Sequence, residues 1–296
     1  LLKRIGHALD MPELPEVETV RRGLERTIVG KTVQTVDVRV PKLFADSPAR
    51  IKQVLIGATV DHVERRAKVL LVHLSSGWVL AIHLKMTGQV IVVNGNTFVG
   101  GHPEKAYEQP LPHKHTHVIV QFSDGATLYF NDLRKFGWLK LIDPAKLADF
   151  LDSFHHGPEP LEGEFTLDYF RAGLVKRIIT IKQLLLDQSF IAGIGNIYAD
   201  EALFAAKILP TRKANKVTKA ESERLFAAIK AVLELGIKHG GTSMNSYRNV
   251  EGTKGGMRDH LKVYGREGLP CVVCGSAIVR AKIGQRSSHY CPHCQR

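Results

Sequence analysis

Four cysteines, all within the last 26 residues, constrain this chain more than any other feature. They fall as Cys271-x2-Cys274, sixteen intervening residues, and Cys291-x2-Cys294, the spacing of a four-thiolate zinc site. Each Cys-x2-Cys turn aims two sulfurs at one tetrahedral centre, and two such turns complete the shell. Two disulfides are the alternative use of the same residues. The leading decapeptide LLKRIGHALD has neither an apolar core nor a small-residue cleavage site, so it does not read as an export signal. Unexported thiols stay reduced, which favours the metal. The expectation is one structural zinc ion, because four protein sulfurs leave no open position for catalysis. Residues 262–296 hold six Lys or Arg and one Glu, a net of +5. A small metal ribbon carrying that charge reads as a clamp on a nucleic-acid backbone.

The whole chain shares the bias. Lys plus Arg is 41 and Asp plus Glu is 29, a formal net charge of +12. Such an excess points to a polyanionic partner, with nucleic acid first and an anionic membrane surface second. The apolar runs at 69–74 and 78–84 are strand-sized, too short to span a bilayer. The expected setting is the cytoplasm, at the nucleoid, with no membrane partner.

With 296 residues, about two domains are expected. Residues 12–30 place Val17, Val20, Leu24 and Ile28 at helical spacing, and Pro15, Glu16 and Glu18 suit a helix start. From 32 to about 142 short β-branched runs recur, at 32–40, 58–64, 69–74, 78–84, 90–93, 118–122 and 126–130, separated by turn signals such as Asn94-Gly95-Asn96. That is an all-β sandwich or barrel pattern. Residues 94–114 read as a loop and 144–154 as a short helix. The proline-containing stretch 155–165 reads as an interdomain linker. Helical periodicity follows at 167–174, 181–186, 197–206 and 219–238, then a polar, Gly-rich loop at 240–256.

Specific segments then resemble one family. MPELPEVETVRRGL (11–24), RRAKVLL (65–71), HLKMTG (83–88), HKHTHV (113–118), DLRKFG (132–137), GPEPL (157–161), GIGNIYADEALF (193–204) and VYGREGLPC (263–271) occur in that order and end in the four-cysteine ribbon. Together they resemble the formamidopyrimidine-DNA glycosylases, which excise oxidised purines. The resemblance implies an α+β multidomain fold: an N-terminal helix and β-sandwich (11–143), a short helix and linker (144–165), a helix–two-turn–helix module with a lesion lid at 240–256 (166–261), and the zinc ribbon (262–296). Residues 1–10 are then an extension. DNA is expected in the cleft between the two main parts, bound by a monomer.

A base inside a duplex is out of reach, so such an enzyme must extrude the nucleotide. Cutting the glycosidic bond needs a nucleophile at the anomeric carbon and an acid for the sugar oxygen. A terminal proline, a secondary amine, attacks that carbon and gives an iminium. By resemblance this is Pro12, with Glu13 as general acid, Lys68 assisting elimination of one phosphate and Arg286 acting in the second. Met86, Arg134 and Phe136 match the residues that fill the void left by the extruded base. His115, Lys182 and Asn196 match DNA contacts, Lys182 and Asn196 at the phosphate backbone. Taken without the family, Pro12 and Pro15 delimit a helix, Glu13 is a helix-start acid, and Lys68 is a solvated lysine. An internal proline has no basic lone pair, so the mature chain is expected to begin at Pro12. The competing readings are an endonuclease VIII-like enzyme for oxidised pyrimidines and a catalytically silent lesion-binding protein. The neighbouring His113, His115 and His117 share no acidic or thiol partner that would complete a metal shell.

Overall fold

Helix α1 (Leu14–Ile28) forms where the sequence supplies both a start and a buried face. Glu13 is its N-cap, Pro15 lies in its first turn, and Val17, Val20, Leu24 and Ile28 are buried along one side. The computed structural model describes residues 11–44, 46–101, 105–242 and 256–296. The extension 1–10 and residues 243–255 of the expected lid lie outside the described residues. The chain divides into two compact units: one runs to Phe154 and takes in His239–Gly256, the other comprises His155–Lys238 and Met257–Arg296.

The first unit is a sandwich of two antiparallel sheets. One sheet contains β1 (Val33–Val38), β5 (Gly88–Asn94), β6 (Asn96–Gly101), β7 (Thr116–Phe122) and β8 (Thr127–Asp132), in the order β1-β7-β8-β5-β6. The other contains β2 (Val60–Arg66), β3 (Val69–Leu74), β4 (Val79–His83) and β9 (Trp138–Ile142), in the order β2-β3-β4-β9. Valines, leucines and phenylalanines from both sheets and from α1 form one core, with Leu24, Leu70, Val90 and Phe130 at its centre. The short helices α2 (Pro48–Leu55) and α3 (Leu147–Asp152) complete the unit.

Three elements depart from expectation, and one of them, β9, lies beyond the last run read from the sequence, 126–130. Strand β6 occupies the start of the stretch read as a loop. It pairs with β5 through the Asn94-Gly95-Asn96 turn, where Gly95 takes a φ of +66°. Its glycines look like loop residues but answer to crowding. A Cβ on Gly100 would stand 2.9 Å from Val20, and one on Gly101 2.5 Å from the Gly88 carbonyl oxygen. Helix α2 has no counterpart in the sequence reading. It starts on a Ser47 cap and turns only Ile51 and Leu55 inward, too short a stripe to register as a period.

The second unit is helical. It contains α4 (Leu167–Val175), α5 (Ile181–Leu186), α6 (Asn196–Ala205) and α7 (Lys219–Lys238), packed on a core that includes Phe170, Leu184, Leu203 and Leu233. It ends in the hairpin of β10 (Val279–Ile283) and β11 (Arg286–Tyr290). No helix among the described residues is long and apolar enough to cross a membrane.

Candidate functional site

Pro12 and Glu13 are buried at the entrance to α1. Glu16, one turn into the helix, accepts the Glu13 amide on Oε2 at 2.9 Å. Its other oxygen accepts the amide and the hydroxyl of Thr242, at 2.7 and 3.0 Å. Gly241 makes this approach possible: its φ is +76°, and a Cβ there would stand 2.7 Å from the Glu16 carboxylate. The residues just after α7 are therefore tied to the α1 entrance.

A second acid on α1 reaches the turn that carries Lys68. Glu18 accepts hydrogen bonds from Arg21, Arg22 and Arg65, the last at 3.1 Å. Arg65 in turn donates to the Ala67 carbonyl at 2.9 Å, fixing the two-residue turn between β2 and β3. Ala67 is fully buried with a φ of +50°, and Lys68 beside it is buried too, at 8% exposure. A solvated surface lysine would not be. Burial pushes the Glu18 carboxyl upward, but the hydrogen bonds from Arg21 and Arg22 and the charges of Arg65 and Arg21 outweigh it and hold it below the usual carboxylate range.

Met86, Arg134 and Phe136 come from two separate loops and meet at the surface. The Arg134 guanidinium lies 4.6 Å from the Phe136 ring centroid, and its Nη1 stands 3.0 Å from the Met86 sulfur. Phe136 is 53% exposed, which removes core packing as its explanation. Asp132, fully buried, organises both loops. Its carboxylate accepts the Thr87 hydroxyl, the Arg134 amide at 3.2 Å and the Gly137 amide at 2.7 Å. The Tyr107 hydroxyl bridges the same loops, donating to the Thr87 carbonyl and accepting the Leu133 amide. Asp132 opens the segment DLRKFG, but nothing in that segment marks it as a buried scaffold, and Tyr107 does not stand out in the sequence.

His115 is half-buried at the start of β7, beside the buried His113 that stacks on Tyr107. Burial first, then the charges of Lys114 and Lys135, lower the His115 pKa and favour the neutral ring. Among the described residues His113, His115 and His117 form no metal cluster.

In the second unit, Gly195 is the N-cap of α6 and Asn196 is the first helical residue. The buried Asn196 Oδ1 has no hydrogen-bond partner among the described residues. Lys182 departs from the expected phosphate ligand. Its side chain has 0% exposure, and its ammonium donates to Asp200 at 2.6 Å and to the Asn196 carbonyl at 2.9 Å. A buried carboxylate claims the charge that a phosphate would have taken. Lys182 thus joins α5 to the start of α6.

Asp200 also accepts the Ser288 hydroxyl and, at 2.8 Å, the His289 amide, both on β11. Its neighbour Glu201 accepts the amides of Lys262, Val263 and Tyr264 at 2.8–3.1 Å. Burial raises the Glu201 pKa, against the lowering by these three amides. The two acids fasten the ribbon to α6. In sequence they are indistinguishable from solvated helix acids, and only the run of apolar neighbours on both sides hints at burial. Arg286 opens β11, exposed, after the Gly284-Gln285 turn in which Gly284 has a φ of +60°.

The four cysteine sulfurs converge within 4.8 Å of one another. Cys271 and Cys294 are 3.9 Å apart and Cys274 and Cys291 3.5 Å. Tetrahedral zinc–sulfur bonds of about 2.3 Å require sulfurs about 3.8 Å apart, so the donor set fits one structural zinc ion.

Comparison with known proteins gives the same outline. The formamidopyrimidine-DNA glycosylase N-terminal domain matches residues 11–139, the H2TH domain of the same enzymes matches 156–248, and a zinc finger found in FPG and IleRS matches 268–296. The formamidopyrimidine-DNA glycosylase of Herpetosiphon aurantiacus is 44% identical over 294 residues, covering 96% of this chain and all of its own length. That of Pelotomaculum thermopropionicum is 43% identical, over 97% of this chain and 99% of its own. Among solved structures, Lactococcus lactis Fpg in complex with DNA containing an abasic site superimposes with a TM-score of 0.85 at 34% identity, covering 96% of this chain and 99% of that one. A mutant of the L. lactis enzyme with Fapy-dG-containing DNA gives 0.85 at 35%, over 96% and 100%. The helix-led sandwich, the helical module and the four-cysteine ribbon are matched in the same order and over nearly the whole length, and the chain belongs to the formamidopyrimidine-DNA glycosylase family.

Proposed function

We propose that this protein extrudes a damaged nucleotide from double-stranded DNA, excises oxidised purines such as 8-oxoguanine and formamidopyrimidines, and then nicks the strand as an abasic-site lyase. The observation that carries this reading is the meeting of Met86, Arg134 and Phe136 on a buried Asp132 scaffold. A flexible thioether wedges between bases, a guanidinium bonds the orphaned partner base, and a ring stacks. A surface trio of these three chemistries, held on a buried scaffold, suits a helix with one base removed. The DNA bound in the L. lactis structures, containing an abasic site or Fapy-dG, agrees with it.

The chemistry follows from Pro12 and Glu13. The proline nitrogen attacks C1′ and the bond from C1′ to the base breaks, the base leaving with the electron pair and taking up the proton that the proline nitrogen sheds. Glu13 gives a proton to the ring oxygen, the sugar opens, and an iminium joins the proline nitrogen to C1′. Loss of a C2′ proton expels the 3′ phosphate, and a second elimination expels the 5′ phosphate. Lys68 supports the eliminations, Arg286 neutralises phosphate in the second, and hydrolysis of the iminium restores the amine. His115 and Asn196 contact the DNA, with Asn196 at the backbone where α6 begins. The zinc, when bound, supplies structure alone, holding the hairpin that carries Arg286. An acylated proline nitrogen cannot do this chemistry, so the working chain begins at Pro12.

Borohydride trapping tests the reading. Protein beginning at Pro12 should form a covalent adduct with a duplex containing 8-oxoguanine, and far less with one containing thymine glycol. Protein retaining residues 1–11 should form none. Equal strand cutting by both forms would refute the proline mechanism, and a preference for thymine glycol would refute the substrate class.

A further inference from the structure

The β2–β3 hairpin carries a cluster of donors on which the proposed reaction makes no demand. His62 and Glu64 lie two residues apart on β2, so they share a face of the strand. His73 lies on β3 directly opposite His62 in the register. The two imidazole rings stack at 4.1 Å between centroids, with 12° between their planes. The Glu64 carboxylate spans them, one oxygen 3.0 Å from His73 Nε2 and the other 3.6 Å from His62 Nε2. One donor atom from each residue lies within 4.8 Å of the other two. The side chains of His62 and Glu64 are 48% and 57% exposed, so a cation can reach the cluster from solvent.

We propose that His62, Glu64 and His73 form a second metal site, separate from the ribbon, for a borderline divalent transition metal of the zinc class. Ligand atoms bound tetrahedrally at 2.0–2.1 Å stand about 3.3–3.4 Å from one another. The two carboxylate–imidazole separations, one from each Glu64 oxygen, bracket that distance. The edge between the two imidazoles is within 4.8 Å, and binding turns the exposed His62 ring out of its stack on His73 so that both lone pairs meet at one ion. Two imidazoles and one carboxylate are a set that zinc and its neighbours accept and that magnesium and calcium do not favour. Unlike the ribbon, the site offers three protein ligands, so at least one coordination position stays open to water or to a small anion. Bound metal joins β2 to β3 across the pair His62–His73. These are the strands whose far end turns through Ala67 and Lys68.

The experiment counts zinc in the intact holoenzyme with its ribbon occupied. After removal of loosely held metal by a mild chelator, zinc alone is titrated back against a chromophoric competitor, with native mass spectrometry reading the stoichiometry. The wild type should take up one equivalent beyond the ribbon ion. His62→Gln and Glu64→Gln, both at exposed positions, should retain the ribbon ion and excision activity while losing the second equivalent. Amide exchange across 60–74 should slow on zinc addition in the wild type only. Absence of a second equivalent at micromolar free zinc would overturn the proposal, as would equal uptake by both variants.

Discussion

Glu16 and Thr242 stand 226 positions apart in the chain, yet a single carboxylate oxygen of Glu16 receives both the amide and the hydroxyl of Thr242. The other oxygen of the same carboxylate receives the amide of Glu13. The entrance to α1 and the residues that follow α7 thus share one buried acceptor group.

Replacing Glu16 with Ala leaves the Glu13 and Thr242 amides without that acceptor. A buried donor left unsatisfied costs about 1–3 kcal/mol, so a loss of about 2–4 kcal/mol is expected in urea unfolding followed by a probe in the sandwich. Borohydride trapping should slow as well, because the Pro12–Glu13 segment loses one of its tethers. An unchanged unfolding midpoint would show that the carboxylate is dispensable.

Asp132→Asn turns one of the two carboxylate oxygens, which accept the Arg134 and Gly137 amides separately, into a donor. The two loops should separate, and affinity for a duplex containing an abasic-site analogue should drop about tenfold or more, equivalent to about 1.4 kcal/mol per decade. Fluorescence anisotropy measures it. Zinc content should not change, which separates this effect from damage to the ribbon.

Lys182 and Arg286 are expected to differ in kind. Lys182→Met strands the Asp200 charge in a closed interior, a loss of about 3–5 kcal/mol by analogy with other broken buried pairs. It should weaken zinc retention through Ser288 and His289, while the salt dependence of DNA binding by the folded fraction keeps its slope. Arg286→Ala should leave stability intact and make the slope of log K against log salt shallower by about 0.9. If Lys182→Met also flattened that slope, the lysine would be a phosphate ligand after all.

Glu18 gives a pH signature. Its pKa in the folded protein lies below the ordinary value of 4.5, so the unfolded chain takes up the proton first as pH falls. The stabilisation from Arg21, Arg22 and Arg65 is fully present above about pH 4.5 and is lost as pH drops through the folded value. Denaturation curves of wild type and Glu18→Gln should therefore differ most near neutrality and converge in acid. A gap that widened on acidification would contradict the assignment.

The parts most legible in sequence were those in which residue type, spacing and chemistry agree. The ribbon cysteines needed only their intervals. The α1 entrance needed its prolines and acids, and most strands needed only their β-branched runs. Strand β6 was hidden because Gly100 and Gly101 answer to the crowding of Val20 and Gly88, a long-range fact that no local window contains. Lys182 reads as a backbone contact by resemblance, and the Asp200 that claims its charge lies a helix away. Glu16 and Glu18 satisfied the helix-dipole argument so well that their longer reaches, to Thr242 and Arg65, left no trace. Met86, Arg134 and Phe136 were assembled by resemblance. The Asp132 and Tyr107 bonds that hold their loops together became visible only in three dimensions.

Adjacent side chains on a helix diverge by about 100°, so Asp200 and Glu201 grip different parts of the metal-bearing tail: one the strand of its hairpin, the other the run leading into it. Such a two-point mooring fixes orientation as well as attachment. A tail grafted from a relative should seat in register only on a helix that keeps both acids, whatever the metal does on its own.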